Sequence, residues 1–282
     1  MVSVAAILDS LALAAVGEDR YLAPNVDTGH PVVFGGQLMA QSVVAGALGH
    51  DDKTVKTLHT VFARAAAPDQ PVDIAVDRIH AGRALASSTV TISQGDRVCT
   101  RSMVLLSTDE PDLIRHADEP PGVFAPPSTG PAMSGSGQWE NRIVGDVDIA
   151  DPDQVGPPEL DVWTRFDGAP DDVLVSQALL AFATDGFLIG TAMRPHKGVG
   201  QAQAHVSIST GVLSHTLTFH EPFSAAQWLL LAHRSTHAGH GRSYGRAEVF
   251  RQDGELVASF VQDAMIRAMA QRQPGSSGST PL

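Results

Sequence analysis

The chain contains the same hairpin twice. "RALASSTVTISQGDRVCTRSMV" begins at Arg83 and "RSYGRAEVFRQDGELVASFVQD" at Arg242, and they align without a gap at an offset of 159 residues. Arg83 then coincides with Arg242, Val90 with Val249, Gly95 with Gly254 and Val98 with Val257. In each copy one run leads into Gln-Gly or Asp-Gly and a second run follows, a strong short-range signal for two antiparallel strands. A second correspondence, "LHTVFAR" from Leu58 and "SHTLTFH" from Ser214, repeats at an offset of 156. Each is preceded by a glycine-bearing apolar run of helical character, Phe34 to Gly49 in the first half and Val175 to Met193 in the second. Both halves therefore read helix, strand, strand, hairpin strand, strand.

A long apolar helix followed by an antiparallel meander buries both when the sheet wraps the helix. The expected fold class is α+β: a duplicated, or double, hot-dog, each half an antiparallel sheet around a long apolar helix. The expected divisions are a first hot-dog over 1–106, a Pro/Gly-rich linker over 107–160 and a second hot-dog carrying the site over 161–270. The linker's core is "DEPPGVFAPPSTGPAMSGSG", and "QRQPGSSGSTPL" at 271–282 reads as a disordered tail.

Charge narrows the function. Nineteen basic residues against thirty-one acidic ones give a formal charge of −12, which argues against nucleic acid and against an anionic membrane surface as partners. Val173 to Met193 has the length of a membrane span and Asp185 as its only formal charge. It also holds Ser176, Gln177, Thr184, Gly186, Gly190 and Thr191, so a buried core helix is the better reading. The N-terminal "MVSVAAILDSLALAA" lacks a basic leader and reads as a short amphipathic helix. Cys99 is the single cysteine and is expected to be a small buried hydrophobe; its use is compatible with a reducing compartment, and the expected location is the cytoplasm. Twelve histidines show no metal-ligand spacing, so no metal site is expected.

One strand poses a chemical question. In "ASFVQDAMI", from Ala258 to Ile266, alternation puts Gln262 on the face of Ala258, Phe260, Ala264 and Ile266. At the offset of 159, Met103 stands where Gln262 stands, so only the second half carries polarity there. Such asymmetry between duplicated halves marks a single site. His59 and His215 align at the other offset, which suggests a structural role for both. The glycine pair in "VDTGHPVVFGGQ" matches no nucleotide fingerprint and is expected to allow close helix–sheet approach.

Four stretches carry a family resemblance, over about Val33 to Arg267: "VFGGQLMAQ", "AFATDGFL", "SHTLTFHEPF" and "QDGELVASFVQDAMIR". In this order they resemble the acyl-CoA thioesterase II, or TesB-like, family of double hot-dog fold. The resemblance implies hydrolysis of fatty acyl-CoA to free fatty acid and CoA, with no metal and no cofactor. It implies a catalytic aspartate at Asp185 and a catalytic glutamine at Gln262. The family's third group, a hydroxyl, falls on Val212, which has none; Thr210 or Ser214 is then the candidate, and Thr210 is taken first. The resemblance, with sheet edges left open by the two halves, implies a homo-oligomer.

The chemistry fits these residue types. A thioester has a good leaving group, since thiols have a pKa of about 8.5. Hydrolysis needs a positioned water, a base and oxyanion donors. Asp185 is the candidate base, Gln262 can orient the water, and backbone N–H groups near Gly186 are candidate oxyanion donors. Water attack is favoured over an anhydride formed on Asp185. The acyl chain is expected in an apolar tunnel along the second helix. Two other classes compete: a non-catalytic acyl-CoA-binding module, supported by Val212, and an enoyl-acyl hydratase, which needs a histidine where Gly190 stands.

Overall fold

The computed structural model describes residues 2–122, 138–145 and 147–269. The tail expected at 271–282 and most of the linker's core lie outside them. Among the described residues the chain begins with α1 (Val4–Ser10), capped by Ser3, whose Oγ accepts the Ala6 N–H at 3.1 Å. Two short strands follow, β1 (Ala14–Gly17) and β2 (Arg20–Ala23). Then come α2 (Gly35–Ala47), β3 (Thr54–Phe62), β4 (Val72–Ala81), β5 (Leu85–Gln94) and β6 (Arg97–Ser107). The second half runs β7 (Trp139–Ile143), β8 (Glu159–Phe166), α3 (Val173–Thr184), α4 (Leu188–Met193), β9 (Ile208–Phe219), β10 (Leu229–Gly239), β11 (Arg242–Arg251) and β12 (Leu256–Ala268).

The meander order expected from the sequence appears in both halves. The stretch read as a linker is more structured than its composition suggested. It contains β7 and the first residues of β8, which pair antiparallel with each other. β1 and β2 occupy the matching place in the first half.

The twelve strands among the described residues form one antiparallel sheet, in the order β1-β2-β4-β5-β6-β3-β9-β12-β11-β10-β8-β7. The order is a palindrome of the two halves about the joint between β3 and β9. At the joint Leu58 pairs with Leu217, His59 with Thr216 and Thr60 with His215. The halves thus consume each other's inner edges, and the edges that remain are β1 and β7, four and five residues long.

Paired backbone bonds fix which residues are equivalent. The N–H groups of Ala63 and Arg64 both bond to the Cys99 carbonyl, and those of His220 and Glu221 both bond to the Val257 carbonyl. The structural offset is therefore 157 along β3 and β9 (63 to 220) and 158 along β6 and β12 (99 to 257). Neither equals the sequence offsets of 156 and 159: matching His59 to His215 slips β3 by one residue, and the turn from Phe250 to Leu256 is one residue longer than the turn from Ser93 to Val98, which a gapless alignment hides. Bulges fall at equivalent places in both halves, Val55/Thr57 with Asp263/Ala264 and Ile92/Ser93 with Val249/Phe250. Each bulge adds a residue and turns the following side chains to the other face.

The two main helices pack against each other and against the same face of the sheet. α2 meets β3, β5 and β6, while α4 meets β10, β11 and β12. Gly36 sits at the helix crossing, where a Cβ would lie 2.2 Å from the Phe182 carbonyl oxygen. The glycine pair therefore permits close helix–helix contact, where close helix–sheet approach was expected. In α3, Asp172 caps the start by accepting the Val175 N–H at 2.8 Å, and every residue from Ser176 to Thr184 is buried. Val173–Met193 passes for a membrane span by length and composition, yet it is largely buried inside the protein. The apolar run also breaks: Asp185, Gly186 and Phe187 separate α3 from α4.

Candidate active site

The helix break sets the site. Asp185 is the residue that ends α3, and its Oδ2 accepts the Gly36 N–H at 3.0 Å. Gly36 lies in the first turn of α2, where the N–H groups lack helical partners and the helix dipole favours negative charge. Gly35 leaves room for the carboxylate, since a Cβ there would lie 2.8 Å from Oδ2. Asp185 Oδ1 is buried with no hydrogen-bond partner among the described groups. Burial raises the carboxyl pKa from 3.8 to about 6, and the Gly36 bond only partly opposes it.

Gln262 lies on β12, which packs under α4 just past the break. It is 2% exposed and pairs with His215 on β9 and Gly245 on β11. Leu188, three residues past Asp185, covers Gly245, where a Cβ would come within 2.7 Å of its Cδ2. Gln262 Oε1 accepts from His215 Nδ1 at 3.3 Å, and Gln262 Nε2 is buried and unpartnered. Such a buried donor ordinarily costs about 1–3 kcal/mol.

Two buried histidines flank Phe260. His215 stacks on it, with centroids 5.2 Å apart, and His233 meets it edge-on at 5.7 Å. Burial lowers both pKa values to about 4, so both rings are neutral near pH 7. His233 Nδ1 donates to the Leu160 carbonyl at 3.0 Å, and Phe187 of the helix break lies 5.8 Å from its ring.

The hydroxyl candidates fare differently. Ser214 pairs with Asp263 and Val61, the face opposite to Gln262, where Asp263 binds Arg242 at 2.6 Å. Thr210 pairs with Ile266, four residues along β12 from Gln262. At about 3.4 Å per residue that is ~14 Å, and its hydroxyl meets His205 Nε2 at 3.5 Å. The structure brings neither hydroxyl to Gln262. The bulge at Leu213 instead puts Val212 opposite Ala264, directly beside the His215–Gln262 pair on the inner face.

A cavity of about 390 Å3 opens beside the break. Phe34, Trp139, Phe182 and Phe187 form its aromatic walls, with Gly186 between them and His30 and Arg142 also lining it. It lies at the end of α3, on the helix along which an apolar tunnel was expected. Trp139 and Arg142 come from β7, inside the stretch read as a linker, and Pro/Gly-rich composition around a five-residue strand hid that contribution. The Gly186 N–H, a candidate oxyanion donor from the sequence, bonds to the Ala183 carbonyl at 3.3 Å. Cys99 is buried, and burial raises its thiol pKa, so it is poorly suited to act as a nucleophile. Among the described residues no cluster of three or more His, Cys, Asp and Glu side chains is placed to hold a metal ion.

With the offsets of 157 and 158, the first-half equivalent of Gln262 is Val104, 1% exposed, and that of His215 is Leu58. Met103, the partner suggested by the sequence alignment, faces outward at 58% exposure. His59 likewise lies on the outer face, bonded to Thr216 Oγ1 at 2.7 Å, so it is not equivalent to His215. The asymmetry stands on corrected partners: an apolar pair in one half and a polar pair in the other.

Residues 111–266 match the family described as the acyl-CoA thioesterase C-terminal domain, and residues 22–107 match the acyl-CoA thioesterase N-terminal domain. The chain belongs to the acyl-CoA thioesterase family. Acyl-CoA thioesterase 2 of Haemophilus influenzae is 26% identical over 290 aligned positions, covering 93% of this chain and 96% of that protein. Acyl-coenzyme A thioesterase 8 of Homo sapiens is 27% identical over 265 positions, covering 85% and 82%. The crystal structure of acyl-CoA thioesterase II TesB2 from Mycobacterium marinum superposes with a TM-score of 0.76 at 27% identity, over 95% of this chain and 100% of that one. A hot-dog-fold protein from Alicyclobacillus acidocaldarius, at 22% identity and a TM-score of 0.73 over 94% and 99%, shares the fold. Membership of the acyl-CoA thioesterase family thus agrees with the resemblance carried by the four motifs.

Proposed function

We propose that this chain hydrolyses fatty acyl-CoA by direct attack of water, with Asp185 as the base and Gln262 as the group that orients the water. The observation that carries this reading is a complementary pair of unsatisfied atoms. Asp185 Oδ1 is a buried acceptor at the helix break and Gln262 Nε2 a buried donor on β12, the strand that packs under α4, and an apolar cavity opens beside the break. A water between them would donate to the carboxylate and accept from the amide. Its oxygen then bonds to the thioester carbonyl carbon while one proton passes to Asp185. The tetrahedral intermediate collapses with loss of the C–S bond, and Asp185 returns the proton to the departing CoA sulfur. A carboxyl pKa of about 6 suits a group that must both take and return a proton near neutrality.

The same reading takes each half as one hot-dog, with α2 and the broken α3–α4 unit as the two core helices. The acyl group would enter the aromatic cavity. A homo-oligomer in the cytoplasm remains part of the proposal, although only short edges at β1 and β7 stay open for strand pairing.

Val212 favours a second reading, a protein that binds acyl-CoA without turning it over, because an aliphatic side chain occupies the inner-face position beside Gln262. Free-thiol release from acyl-CoA substrates of graded chain length separates the two. Release by the wild type that Asp185→Asn abolishes supports hydrolysis at this site. Binding without release at any length would sustain the second reading.

A further inference from the structure

We infer that His215 is a positioning residue of the hydrolytic site, holding the Gln262 amide with its NH2 group turned away from the sheet seam and toward the reacting water. The inference rests on the reading of Gln262 given above and adds a residue to it.

The argument begins with hydrogen-bond arithmetic. An amide oxygen only accepts, so in the His215 Nδ1–Gln262 Oε1 contact the proton is on Nδ1. In a neutral ring that leaves Nε2 bare, and Nε2 is indeed buried without a partner. Stacking on Phe260 fixes the plane of the ring, and the β9–β12 register puts it directly opposite Gln262. The contact occupies one end of the amide. The other end, Nε2 with two N–H groups, has no protein partner. Without His215, a rotation of the terminal amide would exchange its donor and acceptor at little cost. With His215, the donor end is the one left for chemistry.

The first half contributes from the other side. Thr60 pairs with His215 across the β3–β9 joint, and a buried row of hydroxyls leads away from it. Thr60 Oγ1 lies 2.9 Å from Ser102 Oγ, Ser102 Oγ donates to Ser42 Oγ at 3.1 Å, and Ser42 Oγ donates to the Leu38 carbonyl at 2.8 Å. The direction of donation spends the Thr60 proton on Ser102. Thr60 therefore has no proton to offer a bare ring nitrogen, so nothing in that row calls for an unprotonated Nδ1 in place of the Nδ1–H that Gln262 accepts.

The test is steady-state thiol release by full-length His215→Leu, His215→Asn, Gln262→Ala and the His215→Leu/Gln262→Ala double variant, with Asp185→Asn as control. His215→Leu should lower kcat by roughly tenfold or more, with KM near wild type, the range typical of directly coupled residues. His215→Asn keeps an N–H donor close to the Nδ1 position and should recover most of that loss. In the Gln262→Ala background, His215→Leu should cost nothing further, because the residue acts through the amide. An equal additional loss in that background overturns the inference and leaves a merely structural histidine. Full turnover by both Asp185→Asn and Gln262→Ala would instead sink the hydrolytic reading itself. If the leucine variant does not fold, 15N chemical shifts of His215 in the wild type decide: Nδ1–H is expected, and an Nε2–H tautomer overturns the inference.

Discussion

The two halves of this molecule are built alike and differ where it counts. In the first, β3 and β6 place Leu58 beside Val104 under an unbroken helix, α2. In the second, β9 and β12 place His215 beside Gln262 under a helix that breaks at Asp185. The first arrangement is a packed core with no unmet polarity in that pair. The second carries buried unpartnered atoms on Asp185, His215 and Gln262, each a cost to folding. Even the close contacts are exchanged. In the first half a helix glycine, Gly46, lies against Val104 of the strand; in the second a strand glycine, Gly245, lies beneath Leu188 of the helix. One half keeps the fold while the other holds groups that the fold alone would not choose.

That contrast can be broken from several directions. Asp185→Asn should have the largest effect, a loss of about 10²–10⁴ in kcat for removal of a general base. Asn still accepts the Gly36 N–H. The variant should also be more stable above pH 6, because a pKa raised by burial means that ionisation costs native stability; the gain is at most about 3 kcal/mol. Thermal melts at pH 5 and pH 8 read the difference, which should shrink at the lower pH.

The double variant His215→Leu/Gln262→Val rewrites the second half as a copy of the first. Turnover should fall by about a hundredfold, in the range of a lost orienting group, while Tm rises. A double variant that stays active removes Gln262 from the chemistry.

Gly36→Ala tests the crossing that presents an N–H to Asp185. Its Cβ has no room against the Phe182 carbonyl, so denaturant melts should show a loss of about 1–3 kcal/mol, with activity reduced as the helices separate. An unchanged melting curve would mean that the helices have room to shift.

The pH profile is the next measure. Protonated Asp185 is no base, so kcat/KM should fall about tenfold per unit below pH 6 and level off above it. In Asp185→Asn any residual rate should lack this limb. The smallest effect is expected from Val212→Thr, which puts a hydroxyl on the inner face beside the pair; a gain of a few-fold in kcat is expected. No gain would show that this site completes its water cradle without that position.

Much of this was legible in the sequence. The hairpins at Gly95 and Gly254 have strong turn signals, and the strands around them alternate, so the duplication and the order of elements could be read directly. Asp185 and Gln262 stood out as polar residues within apolar patterns. Three things were hidden, each for a physical reason. β1 is four exposed residues with no alternation, and β7 is five residues beside a Pro/Gly-rich run, so neither rises above loop composition. The register was off by one because the β11–β12 turn holds one residue more than the β5–β6 turn, which a gapless alignment on the two turn glycines conceals, and this made Met103 stand in for Val104. The Gly36–Asp185 bond joins residues 149 apart in the chain at a helix crossing, where no periodicity reports it.

The joint between β3 and β9 also has a consequence in time. It pairs Thr60 with His215, a closure across more than half the chain, while each hairpin closes over a few residues. Such distant pairings pay their loop entropy before any contact rewards it, and chains dominated by them fold slowly. The Gly36 N–H that holds Asp185 belongs to one half and the carboxylate to the other. During refolding, most strand pairing should therefore precede the first catalytic turnover, and enzyme activity should return only in the slowest phase.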